Sequence, residues 1–167
     1  QTCHRQDAET LRQNVYDRQK KVYDFCGKLD KELAYAHIEA KFAWDKGATE
    51  SEMAKVLDDI RKSQWRWDYA MAGHGSAFHA PQEVMRLLAD AMTYAKDARL
   101  QIARVVARHG YTKPIPLPDI STRAKAARYV GLDMPKLRAQ KRQFIDQVVP
   151  RWIEQARHNK RFEMKPM

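Results

Sequence analysis

Apolar residues recur along this chain at steps of three and four, the period of a helix with one buried face, and no stretch shows the alternation of a strand. From Asp7 to about Lys46 the stripe runs through Ala8, Leu11, Val15, Val22, Phe25, Leu29, Leu33, Ala36, Ala40 and Ala43. The pattern predicts one helix over 7–46, roughly 60 Å long at 1.5 Å per residue. Gly27 alone interrupts it, and a lone glycine weakens a helix by about 1 kcal/mol without ending it. So long a helix with so narrow a stripe has more surface than a small bundle covers. It is expected to pack against another copy of itself or another chain.

Gly47 stops this helix, and Thr49 with Glu52 reads as a capping box opening a second helix over 49–72. Its expected buried stripe is Met53, Val56, Leu57 and Ile60, then Trp65, Trp67, Tyr69 and Met71. Gly73-His74-Gly75-Ser76 breaks the pattern, and Pro81 opens a third helix over 81–109. Three prolines between Lys113 and Asp119 require an extended connection. Ser121 or Thr122 caps a helix over 121–130, and Asp133 caps a last one over 133–158 that bends or restarts at Pro150. The expected fold class is all-α, long antiparallel helices forming one helical domain over 7–167, without internal repeats.

Charge adds a constraint. Thirty-one Lys and Arg against 21 Asp and Glu leave +10. Such a balance favours anionic partners: nucleic acid, an acidic membrane, haem propionates or a small anion. No apolar run approaches the roughly 20 residues that span a bilayer. Two cysteines, Cys3 and Cys26, cannot build a disulfide framework, and Cys26 sits in the helical pattern as a small core residue.

The chemistry lies with the histidines. Gln1-Thr2-Cys3-His4 matches the last four positions of Cys-x-x-Cys-His, which attaches haem through two thioethers and ligates it through the adjacent histidine. Residues 1–6 are thus read as the end of such a motif, whose first cysteine would precede Gln1. His74 and His79 flank the glycine-rich break, with Trp65, Trp67 and Phe78 nearby. A haem iron needs an imidazole on a rigid mount in an apolar setting; the same residues also suit a tight turn with a capping role. His109 and His158 fit helix C-termini, and His37 a packing seam. Glu39, Asp58, Asp59 and Asp97 read as salt-bridge partners. No Gly-x-Ser-x-Gly, Gly-x-x-x-x-Gly-Lys, His-Glu-x-x-His or Cys-x-x-Cys is present, so no catalytic residue is assigned.

Several stretches together carry a resemblance. Gln1-Thr2-Cys3-His4, Ala36-His37-Ile38-Glu39-Ala40-Lys41-Phe42-Ala43-Trp44, Gln64-Trp65-Arg66-Trp67-Asp68, His74-Gly75-Ser76-Ala77-Phe78-His79-Ala80-Pro81-Gln82-Glu83 and Pro118-Asp119-Ile120-Ser121-Thr122 resemble the C-terminal part of the ammonia-forming pentahaem cytochrome c nitrite reductases. The resemblance implies a segment of a periplasmic multihaem oxidoreductase that reduces nitrite to ammonia with six electrons. It makes Cys3 a thioether anchor and His4 the proximal iron ligand of a fifth haem c, and His79 the distal ligand of a fourth. It leaves His74 a structural role. It also implies a homodimer through the long helices, a redox partner supplying electrons, and a catalytic haem and calcium site upstream of this chain. The competing reading is a basic helical bundle that binds nucleic acid or another polyanion without haem.

Overall fold

The computed structural model describes residues 5–73, 75–159 and 161, and among them every regular element is helical. In chain order these are α1 (Ala8–Asp45), α2 (Glu50–Ala72), α3 (Ser76–His79), α4 (Pro81–Arg108), α5 (Arg123–Tyr129), α6 (Met134–Gln147) and α7 (Val149–His158). The single domain expected over 7–167 is divided into two compact units, Gln1–Leu117 and Pro118–Met167.

The first unit is built on three long helices, with α4 packed against both α1 and α2. The buried positions of α1 are Val22, Cys26, Leu29, Leu33, Ala36, Ala40 and Ala43, joined by the polar Glu39; those of α4 include Val84, Leu88, Ala91, Ala95, Ala98, Ile102 and Val105. Both series step by four and three in strict alternation, the heptad spacing of coiled-coil packing. Alanine fills Ala36, Ala40 and Ala43 on α1 and Ala91, Ala95 and Ala98 on α4, small side chains that let helices approach closely. In α2 the buried apolar set is Met53, Val56, Ile60 and Ala70, with the polar Asp59 and Ser63.

That set corrects the expected stripe. Trp65 is 63% exposed, Tyr69 57%, Met71 43% and Leu57 39%, and Trp67 is half-buried. Residues two apart on a helix point about 200° apart, so Trp65, Trp67, Tyr69 and Met71 cannot share one face. Trp65 and Tyr69, four apart, stack on the surface with centroids 5.8 Å apart.

The buried carboxylates and hydroxyl inside the unit are paired, whereas Arg66 Nε is buried without a hydrogen-bond partner among the described residues. Arg99 donates through Nε and Nη2 to Glu39, both at 2.8 Å, and through Nη1 to Glu32 at 2.6 Å. Asp59, fully buried, accepts from Gln101 at 2.8 Å and from Lys55. The Ser63 hydroxyl donates to the Ala91 carbonyl at 2.8 Å, tying α2 to α4. Glu39, Asp58 and Asp59 are therefore salt-bridge partners, as their isolated placement on helices suggests.

The expected ends are formed by the expected chemistry. Thr49 and Glu52 make a reciprocal capping box, and Asp7, Thr122 and Asp133 cap α1, α5 and α6 through their side chains. Gly47, at φ 91°, takes the left-handed position that lets Ala48 N–H reach back to the Ala43 carbonyl at 3.1 Å. In the second unit the last helix is two. Val148 separates α6 from α7, and Pro150, which has no N–H to give, sits in the first turn of α7.

Candidate functional site

Of the residues singled out in the sequence, Cys3, His4 and His74 lie outside the described residues, and His79 lies within them. What the structure contributes is the mount that carries His79.

The chain leaves α2 at Gly73 and turns through Gly75 into α3, one helical turn that ends at His79 immediately before α4. The turn is locked from within. Ser76 donates to the Gly73 carbonyl through N–H at 3.0 Å and through Oγ at 2.6 Å, and His79 N–H reaches the Gly75 carbonyl at 2.9 Å. Gly75 is required by its backbone, and Gly73 leaves room for the Ser76 hydroxyl that locks the turn. A Cβ on Gly73 would stand 2.6 Å from Ser76 Oγ, and Gly75 has φ 82° with the His79 ring so close that a Cβ would meet its Cδ2 at 3.3 Å.

The His79 imidazole is thus cradled against backbone on one side and held edge-to-face by Phe78 at 5.1 Å on another. It remains exposed, and among the described residues it makes no hydrogen bond or ion pair. Metal ligation needs one imidazole nitrogen free to face the metal, the other ordinarily donating to a carboxylate, carbonyl or water; a histidine kept for capping would spend a nitrogen on the backbone. Neighbouring groups suit a large, flat, apolar cofactor with anionic edges. A cleft of about 420 Å³ beside the turn is lined by Val22, Tyr23, Cys26, Ala70, Met71 and Ala77 among others. Arg18 stands over the Phe78 ring at 5.7 Å, a permanent cation beside the site. A haem would find here an imidazole for its iron in His79, a cation for a propionate in Arg18 and a partly apolar surface beside the turn.

Cys26 takes no part in attachment chemistry. It is 2% exposed, and burial, with the nearby Asp30 charge, pushes its thiol up, away from the reactive thiolate. It is the small core residue the pattern suggests. Arg18 and the locking hydroxyl of Ser76 carried no signal in the sequence, since Arg18 meets Phe78 across 60 positions. His109 caps α4 and contacts Glu52 at 3.0 Å, a structural clasp at the other end of the unit. His37 is exposed and lines a small groove with Asp30, Gln64 and Trp67, whose indole N–H donates to Asp30. Among the described residues no three His, Cys, Asp or Glu side chains converge to hold a metal ion.

The family model of cytochrome c552 matches residues 1–161. Relatives named cytochrome c-552 are 56% identical over 94% of the chain in Porphyromonas gingivalis, 57% over 96% in Bacteroides fragilis and 55% over 99% in Bacteroides thetaiotaomicron. The chain covers 32%, 33% and 34% of those proteins, about a third of their length.

These matches correct the family named from the motifs. It is cytochrome c552, and neither the family description nor these relatives' names refer to a pentahaem nitrite reductase. The reason is chemical. The resembling stretches read as haem attachment, a ligand mount and helix packing, features of a c-type cytochrome, and none of them contains a residue assigned to a substrate.

Proposed function

The chain belongs to the cytochrome c552 family, haem c electron-transfer cytochromes, and from that premise we propose that Cys3 anchors one haem c, His4 ligates its iron, and His79 ligates the iron of a second. The observation that carries the proposal is the His79 mount: an oriented imidazole, uncommitted among the described residues, beside an apolar cleft. Family membership displaces the basic, haem-free bundle as the general reading.

Haem c, when bound, supplies a one-electron iron couple. The chain's own residues do the positioning. His79 presents its imidazole from the turn, and the close approach of Gly75 and the Phe78 ring limit the rotation of that ring. Val22, Cys26, Ala70 and Ala77 give the cleft beside the turn an apolar wall. Arg18 provides the positive charge suited to a propionate.

The test is a pyridine haemochrome spectrum together with the intact mass of the protein. A c-type spectrum and a mass above that of the 19.5 kDa polypeptide are expected, and Cys3→Ala should lower the covalently retained haem. A colourless chain at the polypeptide mass would overturn the proposal.

The long helices suit a homodimer through α1, a reading supported by the first turns of that helix. No residue between Ala8 and Lys21 is buried, and Tyr16 is 53% exposed. Tyr16→Asp is expected to shift sedimentation from dimer to monomer. For a longer protein containing this chain, we propose a periplasmic location and six-electron reduction of nitrite to ammonia at a centre outside this chain, with calcium also held outside it. That activity rests on the motif stretches alone. Its test is ammonia formed from nitrite by the reduced protein, and no ammonia would remove it while leaving the electron-transfer reading intact.

A further inference from the structure

We propose that the second unit docks through α6 and α7 onto an anionic lipid surface. Neither helix contributes a buried residue, although together they carry five large apolar side chains. Leu137, Phe144, Ile145, Trp152 and Ile153 are between 39% and 57% exposed. On α7, Val149, Trp152, Ile153 and Ala156 follow i, i+3, i+4, i+7 and share one face. Phe144 and Trp152 meet edge-to-face at 5.3 Å, so the apolar strip continues across the junction of the two helices.

Cations accompany this strip. From Pro118 onward the sequence holds twelve Lys and Arg against five Asp and Glu, so this unit carries most of the chain's excess positive charge. Arg138, Lys141 and Arg142 line a shallow groove with Ile145 and Asp146. Among the described residues none of Arg138, Lys141, Arg142, Arg151 and Arg157 forms an ion pair.

Charge and shape together select the occupant. A second copy would bring like charges face to face. A nucleic acid would use the cations but leave the leucine and isoleucine side chains without purpose. Short amphipathic helices with Trp and Phe on the apolar face and Arg and Lys beside it match the boundary between headgroups and acyl chains, and an anionic leaflet supplies the complementary charge.

The experiment is co-sedimentation of the intact protein with phosphatidylcholine vesicles made with and without phosphatidylglycerol, at low and high salt. Binding is expected only with phosphatidylglycerol and is expected to weaken as salt rises. Arg138→Gln with Arg142→Gln should weaken it about thirtyfold, from two surface cations. Trp152→Ser should weaken it as well while leaving the helical circular dichroism unchanged, since that side chain is exposed. The proposal is overturned by no binding to phosphatidylglycerol vesicles, by equal binding to phosphatidylcholine alone, or by unchanged binding in both variants. Capture of an acidic protein without vesicle binding overturns it too, and assigns the surface to a protein partner.

Discussion

Glu52 is the residue at which two helix ends meet. Its carboxylate accepts from the Thr49 backbone N–H at 3.0 Å and contacts His109 at 3.0 Å. These bonds, the Thr49 backbone bond first, lower its carboxyl from the ordinary 4.5 to about 2. A lowered carboxyl stabilises the fold above its unfolded value and loses that contribution as pH falls toward its folded one. The melting temperatures of wild type and Glu52→Gln should therefore differ by a constant amount at neutral pH and converge between pH 4.5 and about 2. A gap that persists at the acid end would place the effect elsewhere. Arg99 poses the complementary case, because its removal strands Glu39, whose side chain is 8% exposed. Arg99→Met is expected to cost about 3 kcal/mol in denaturant unfolding, and Glu39→Gln combined with it should recover part of the loss. At this scale the sequence was half legible. Capping by Thr49 and Glu52 follows from spacing alone, whereas the Arg99–Glu39 pair joins positions 60 apart and leaves no local trace.

Helix α1 runs 38 residues without a break at Gly27, and a Cβ added there meets nothing within 4 Å. Gly27→Ala should accordingly raise stability by about 1 kcal/mol, read as a higher urea midpoint with an unchanged slope. Leu88 lies at the opposite extreme, fully buried on α4 within the cluster that includes Val22, Cys26 and Leu29. Leu88→Ala should cost about 2–5 kcal/mol by the same assay. Helix existence and ends were legible because period, proline, glycine and caps are local signals. The face of α2 was not, because aromatic content suggested burial where the 3.6-residue period forbids it, and Trp65 and Tyr69 stack in the open. The stripe of α6 and α7 was visible as well, but no pattern in the sequence says whether an apolar face is covered.

At the scale of the whole molecule, the first unit is a heptad-packed helical scaffold that presents His79 at the junction between α2 and α4. No helix among the described residues is long and apolar enough to cross a membrane. The motifs led to a haem protein because ligand spacing follows from coordination chemistry. They do not settle the activity, because the choice of substrate is made by residues other than those that mount the haem. The central claim is that His79 is an iron ligand, and electron paramagnetic resonance of the oxidised, haem-loaded protein tests it most directly. Substituting His79→Gly should replace one low-spin signal by a high-spin one, and added imidazole should restore the low-spin signal in the space the side chain vacates. A low-spin spectrum indifferent to both the substitution and imidazole would contradict the account and return His79 to a structural role in the turn.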